Sequence, residues 1–461
     1  MVSDKFRRQL RQEVQQWHRE GLIYPEQYEQ LSARYQFNAL ETSARNRFVV
    51  IVIGLGCVLL GLAAITFVAA NWQVWSREWR SLLLLTVFVG VNAIGFYLWR
   101  YPIQVWQHRF GQGLLLLGAL ILGANMGLMG QMFHQSGSPA PLYLLWGVGV
   151  LAMSYSLRQT MLGLLAVWLL GIGYWWGMLD SADERGAWWL QLMLQHMPLL
   201  SAAMFIPLAY WCRSRWIFGL GAIAIISSLQ SNLLRVHLDG GSGNSLWITL
   251  FLALPPALLW AYKDRWQSRF SPEEEPSPQS FQFITRSLAI LFLGIVCYWF
   301  SFHWIWLDSW KAPGEDLEVF GGWRLIDALA LSILAIWQWL QLARRWDLTT
   351  GAVGGLIAIA TITPIWHINI SPIGIFAPLI FNVVLFLLAA GCLREGLGSG
   401  DRRLFWCGMV LLSLQIFSRM FEYNTDLIFK ALMLFLCGAG IIAAGIWFER
   451  YVRTLNPPEN P

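Results

Sequence analysis

Charged residues are scarce in this chain of 461 residues, because Asp, Glu, Lys and Arg together make up only 13% of it. Apolar residues make up 56%, and the mean hydropathy is +0.50, a combination that soluble globular domains do not show. The scarcity of charge excludes an ordinary water-soluble fold and an intrinsically disordered chain. It predicts an integral membrane protein whose main contact partner is the lipid bilayer.

The sequence also lacks the motifs that carry catalysis, phosphate binding or metal binding. It contains no GxxxxGK[ST] phosphate loop, no HExxH zinc motif and no nucleophile elbow. Basic residues form no patch interleaved with aromatics, which argues against nucleic-acid binding. The six cysteines have no CxxC spacing and fall in apolar segments or at their ends, so we expect free thiols without a metal, cofactor or disulfide framework: Cys57, Cys212, Cys297, Cys392, Cys407 and Cys437.

Long apolar runs are present instead, and they set the architecture. A hydrocarbon core about 30 Å thick requires roughly 20 apolar residues per helix, and the run lengths fit helices better than barrel strands. We predict an all-α, polytopic membrane bundle of about fourteen transmembrane helices. Their approximate limits are 48–70, 81–99, 111–133, 141–157, 160–179, 194–211, 215–233, 244–262, 285–302, 322–343, 350–366, 371–393, 403–420 and 426–448.

The distribution of basic residues predicts the orientation of this bundle, since Lys and Arg accumulate on the cytoplasmic side of membrane proteins. With the N-terminus inside, 24 of the 32 basic residues fall on the cytoplasmic side of the fourteen spans. We therefore expect both termini in the cytoplasm. The same bias accounts for the net charge of +5.

Two polar segments divide the chain. Residues 1–46 carry apolar side chains at helical spacing around a break at Gly21 and Pro25, which predicts a small cytosolic helical hairpin. This hairpin either caps the bundle or binds a cytosolic protein partner. Residues 263–282 are rich in Pro, Ser and Glu and predict a flexible cytoplasmic linker. The expected parts are the hairpin (1–46), spans 1–8 (47–262), the linker (263–282), spans 9–14 (283–448) and a cytoplasmic tail (449–461).

Three glycines and two amides interrupt the apolar third span. Gly123, Gly127 and Gly130 recur at helical spacing and give the helix a flat strip for close packing. The amides of Asn125 and Gln131 need partners where no water is present. Two roles stay open for these five residues, namely packing contacts with adjacent helices and the lining of a polar path.

Several stretches resemble the landmarks of one protein family. They are WHREGLIYPEQY (17–28), AANW (69–72) and GANMGLMGQMFH (123–134), and the closing stretch RMFEYNTDLIFK (419–430) is similar as well. On these residues, roughly the first 150 positions resemble the domain of unknown function 2157 family, which comprises predicted bacterial membrane proteins. The resemblance implies a multi-pass protein of the bacterial inner membrane, and it carries no catalytic residues.

Histidines are concentrated at the predicted outer ends of the spans, alongside many tryptophans. An aromatic belt with interfacial imidazoles explains this placement, with metal binding and proton sensing as alternatives. The residues are His134, His196, His237, His303 and His367.

Ionisable residues within or beside the spans mark the candidate working region, because a lipid-facing surface does not tolerate them. Helical spacing allows three neutralising pairs, which a purely structural role would also require: Arg324 with Asp327, Arg419 with Glu422 and Asp426 with Lys430. We hypothesise that six residues line one outer-facing polar cavity: Arg324, Asp327, Arg419, Glu422, Asp426 and Lys430. Among them, Asp327 and Glu422 are the candidates for a proton or cation step.

Three functions follow from these features. Many spans with intramembrane polar residues favour a carrier or a flippase-like transporter of a small-molecule or lipid-linked substrate. An acidic outer loop at 303–321 suggests instead a membrane enzyme that acts at the outer face on a lipid-linked substrate. A membrane scaffold or regulator that acts through the N-terminal hairpin is the third alternative.

The predicted topology can be checked with reporter fusions. A reporter enzyme that is active only outside the cytoplasm should be active when it is inserted in the 303–321 loop. A reporter that is active only in the cytoplasm should be active when it is fused after Pro461. The basic-residue bias is the physical reason. Cytoplasmic activity of the loop fusion would contradict the orientation.

Overall fold

The protein is helical throughout its described part. The computed structural model describes residues 4–35, 76–132, 137–180, 188–239, 245–263, 281–306, 322–344, 347–400, 402–422 and 426–455, with eight separate positions between 52 and 66. Within these residues every regular element is a helix. The helices are α1 (Asp4–Arg19), α2 (Pro25–Tyr35), α3 (Arg77–Arg100), α4 (Val105–Met132), α5 (Ala140–Leu157), α6 (Thr160–Leu179), α7 (Trp188–Gln195), α8 (Met197–Trp211), α9 (Arg215–Asp239), α10 (Ser245–Ala261), α11 (Gln282–Phe300), a 3-10 turn (His303–Trp306), α12 (Gly322–Ala343), α13 (Leu348–Asn369), α14 (Phe376–Ser399), α15 (Arg402–Glu422) and α16 (Leu427–Leu455).

Eleven of these helices are long and apolar enough to cross a membrane, or twelve if the bent pair α7 and α8 forms one span. A further apolar helix, Trp247–Ala261 within α10, is shorter. The chain is therefore an all-helical, multi-spanning protein. The predicted count of fourteen is not confirmed, because the first predicted span, 48–70, lies mostly outside the described residues. The predicted linker lies almost entirely outside them as well.

The chain divides into two compact units, residues 1–184 and 185–461. In the first unit, α1 and α2 pack on each other around Val14, which is fully buried between Leu10, Trp17, Tyr28 and Leu31. The chain turns between them at Gly21, whose φ of +75° is the left-handed conformation that glycine adopts without strain. The position of this pair relative to a membrane stays a prediction.

Glycines bring the spans of the first unit into close contact. A Cβ atom on Gly111 of α4 would lie 2.5 Å from the Trp99 backbone nitrogen of α3, so only glycine fits there. Between α5 and α6, Gly147 receives the Leu170 side chain and Gly173 receives the Leu144 side chain. Such reciprocal contacts of large and small residues replace the hydrophobic driving force that is missing between helices in lipid.

In the second unit, α10 is the central helix. It packs against α9, α11, α12 and α13 although it is short and contains Pro255 and Pro256. A proline inside a helix removes a backbone hydrogen bond, and packed neighbours compensate for the loss. By contrast, the apolar window of α16 is 0% buried although the helix packs against α15, as expected for a lipid-facing helix.

Replacing Gly173 by Leu should destabilise the first unit, because the new side chain would collide with Leu144, whose Cγ lies 2.8 Å from the position of a Cβ on Gly173. Overpacking of this kind costs about 1–3 kcal/mol. The thermal unfolding midpoint in detergent measures the loss. Gly171→Leu on the same helix is the matched control, since no atom lies within 4 Å of that site. Equal midpoints for the two variants would contradict the contact.

Candidate functional site

The apolar helix pair α7 and α8 of the second unit is broken at His196. Helices α7 and α8 meet there at an angle of 70°. His196 has a non-helical backbone with φ −99° and ψ 17°, and Pro198 stands in the first turn of α8. Proline lacks an amide hydrogen and restricts the residue before it, so a helix readily ends just upstream. The break leaves backbone groups that must find partners within the protein.

Side chains from two other helices supply these partners. The Asn232 side chain of α9 donates to the Gln195 carbonyl oxygen over 2.7 Å. Asp327 of α12 receives the Leu199 amide at 3.5 Å on one carboxyl oxygen, which is a long contact near the start of α8. Its other oxygen lies 2.7 Å from His196 Nδ1. The break is thus held by contacts to α9 and α12.

The pair formed by His196 and Asp327 is buried. The side chain of Asp327 is 1% exposed and that of His196 is 19% exposed. The short contact forms in two protonation arrangements, since an imidazole N–H can donate to the carboxylate or a carboxylic acid can donate to the imidazole nitrogen. An apolar cluster that includes Ala328, Leu331 and Leu229 begins immediately beside Asp327. The arrangement can therefore hold a proton in a largely apolar surrounding.

A second polar cluster joins α15 to the end of α11. Arg419 donates to the Ser301 carbonyl oxygen over 2.5 Å, and its guanidinium lies 4.2 Å from the centre of the Phe302 ring. Glu422 forms an ion pair with Arg419 and accepts a hydrogen bond from the His303 amide. Asn382 of α14 also donates to the Ser301 carbonyl. These contacts bind the carbonyl end of α11 and the start of the next turn. The role of the cluster is therefore structural.

The six residues of the predicted cavity are placed as follows. Arg419 and Glu422 are brought together as the spacing predicted, whereas Asp327 contacts His196 at the break between α7 and α8. Asp426 is exposed, Lys430 is half-buried, and their contact is the backbone hydrogen bond from Lys430 to Asp426. The side chain of Arg324 lies outside the described residues. No hydrogen bond or ion pair of the described residues joins Asp327 to the Arg419 cluster, so one shared cavity stays a prediction.

The residues singled out in the third span lie on α4 in the first unit. Asn125 is buried and donates to the Leu84 carbonyl of α3 over 3.0 Å. Gly123 faces the indole of Trp146, which would lie 2.3 Å from a Cβ atom. No atom lies within 4 Å of a Cβ on Gly127 or Gly130, and Gln131 is exposed. Asn125 and Gly123 thus make packing contacts between helices.

Sequence reasoning missed the partner of Asp327. His196 was grouped with the interfacial histidines, and Asn232 was not singled out at all. The one available signal was the proline two residues after His196 inside an apolar run, because it marks a break where polar groups need partners. For the other histidines, the structure describes His367 as accepting the Ile373 amide over 3.0 Å. The described residues contain no group of three or more His, Cys, Asp or Glu side chains placed to hold a metal ion.

These observations define the class as a multi-spanning membrane protein. Residues 15–163 match the family model described as "Predicted membrane protein (DUF2157)", which confirms the family resemblance over this part of the chain. A search of curated proteins found no match, and a search of solved structures found none either.

A double-mutant cycle tests whether His196 and Asp327 depend on each other. Replacing His196 by Leu leaves the carboxyl group without its main partner, and loss of one member of a buried pair costs about 3–5 kcal/mol. The double variant with Asp327→Leu should be more stable than the sum of the two single losses predicts. Thermal unfolding in detergent is the measurement, with the exposed Asp347→Asn as a control that changes little, because Asn is also a favourable residue at a helix start. Additive losses would show that the pair is not coupled.

Proposed function

We propose that this protein is a membrane carrier, in which the His196–Asp327 pair at the broken span takes part in a proton-dependent step. The observation that carries the proposal is the nearly complete burial of Asp327 beside a break in a neighbouring span. Ionisable groups inside membrane bundles are costly and usually mark ion pathways. Broken helices near such groups are a recurring feature of secondary transporters.

The chemistry of the pair favours a proton as the coupling ion. A carboxyl group and an imidazole that share one short hydrogen bond can gain or lose a proton without leaving either group unpaired. Metal coordination would need further oxygen or nitrogen ligands around the same point. The Arg419–Glu422 cluster, in contrast, pairs opposite charges, and Ser301 and His303 supply further hydrogen-bond partners to it. This supports Asp327 over Glu422 as the working carboxyl group.

The substrate is a small molecule or a lipid-linked molecule, as the number of apolar helices and the intramembrane polar residues favour. The described contacts give no particular support to the enzyme reading, whose acidic loop lies mostly outside the described residues. For residues 1–46, the packed pair α1 and α2 is compatible with a cytosolic partner. We keep that partner as part of the proposal.

The proposed topology is fourteen spans in a bacterial inner membrane, with both termini in the cytoplasm and a linker at 263–282. Contacts between distant segments support it by parity. Glu422 and His303 stand at the ends of predicted spans and can meet only if an even number of crossings separates them, and α12, α13, α14 and α15 supply four. A linker of that length and polarity is expected to stay in water.

Proton flux in proteoliposomes tests the carrier proposal. Vesicles with purified full-length protein are loaded with a deproteinised small-molecule extract of the producing cells and a pH-sensitive dye. Dilution into extract-free buffer should produce a pH change that protein-free vesicles do not show. Asp327→Asn should abolish most of it, because the amide cannot release a proton.

The matched control is Asp347→Asn, which removes an exposed carboxyl group at the start of α13. It should retain the wild-type pH change. If wild-type vesicles behave as protein-free vesicles do, proton-coupled exchange is refuted. If Asp327→Asn retains the full signal, transport stands but the assignment of Asp327 does not.

A further inference from the structure

Helices α14 and α15 form an antiparallel hairpin with a defined register. Gly400 ends α14 in the left-handed conformation with φ +67°, and α15 begins at Arg402. At the far end, the Gln415 side chain donates to the Asn382 carbonyl over 2.8 Å. Residues that face each other across this hairpin therefore have numbers that sum to nearly the same value along its length.

Glycines close the two backbones near the turn. A Cβ atom on Gly396 would lie 2.5 Å from the Phe405 backbone nitrogen. One on Gly408 would lie 2.8 Å from the Ala389 carbonyl oxygen and 3.0 Å from the Leu393 nitrogen. The helices thus make backbone contact on both sides of the position where residue 392 faces residue 407.

Two cysteines occupy this position. Cys392 is half-buried and Cys407 is exposed, and they directly precede Leu393 and Gly408, the two residues whose backbones are in contact. Both are free thiols. A disulfide requires Cα atoms within about 7 Å and side chains directed toward each other. The backbone contact of Leu393 with Gly408 supports the first requirement, and the interaction between the two thiols supports the second.

We propose that Cys392 and Cys407 form an oxidation site that closes to an intramolecular disulfide between α14 and α15. The reaction removes one proton and one electron from each thiol and forms one S–S bond. A two-electron acceptor of the diazene or quinone class takes up both electrons and both protons. Closure requires little movement of the backbone, because the glycines already hold the helices in contact.

The exposed side of the pair gives an oxidant access. Cys407 lies five residues after the start of α15, beside the exposed Trp406, on a surface that faces lipid in a membrane. A membrane-soluble acceptor can reach it there. The site does not depend on the proposed carrier function, since its geometry involves neither His196 nor Asp327.

Thiol counting on the purified full-length protein in detergent tests this inference. The protein is treated with diamide, denatured in SDS and alkylated with a maleimide-linked polyethylene glycol, and the adducts are separated on a gel. The reduced wild type should carry adducts on all six cysteines, and the oxidised protein should carry two fewer. Reduction with dithiothreitol after oxidation should restore them.

Single variants assign the pair. Cys392→Ala and Cys407→Ala should each show the same number of adducts before and after diamide. Cys437→Ala on α16 is the matched control, and diamide should still remove two maleimide adducts from it. Elution as a single size-exclusion peak checks that each variant is folded.

The proposal is overturned if diamide leaves all six wild-type thiols reactive. It is also overturned if diamide still removes two adducts from Cys392→Ala. The same holds if the loss of adducts in the wild type appears together with a dimer band on a non-reducing gel. In that last case Cys407 would be forming a disulfide between two chains.

Discussion

Backbone and side-chain polar groups have no water to bind in the hydrocarbon core of a membrane, and this constraint governs the second unit. A straight helix pairs its own backbone groups, but the break at His196 cannot. The Gln195 carbonyl is therefore bound by Asn232, and the start of α8 is contacted by Asp327. An unpaired amide in an apolar medium costs several kcal/mol, so the bent geometry depends on these contacts from other helices.

The two polar clusters of the second unit meet this constraint in different ways. Around Arg419, an opposite charge, an aromatic face and backbone groups surround the guanidinium, so the cluster is a stable connection between α11, α14 and α15. Asp327 has instead a neutral or charged imidazole and one long amide contact. A group held mainly by a partner that itself binds protons is better suited to a change of protonation than one held by a permanent cation.

Glycine determines where helices touch, and those contacts decide which side chains become neighbours. Gly111 brings α3 against α4, where Asn125 binds a carbonyl of the adjacent helix. Gly396 and Gly408 bring α14 against α15, where Cys392 and Cys407 lie on adjoining segments. In lipid, where apolar surface is not a driving force, such close packing and interhelical hydrogen bonds stabilise the bundle. Polar contacts and reactive pairs thus follow from the same small residues.

The sequence alone determined the class of the protein, the positions of most helices and the pairing of Arg419 with Glu422. Composition and run length report burial in lipid directly, and residues three or four apart on one helix are neighbours in any fold. The partner of Asp327 was decided only by the tertiary structure, since His196 lies 131 residues away. The same holds for Cys392 and Cys407. Hydropathy indicates which helices are apolar enough to cross a membrane, but it is nearly equal on all sides of such a helix. It therefore does not specify which helices are neighbours, whereas close packing and a few polar contacts do.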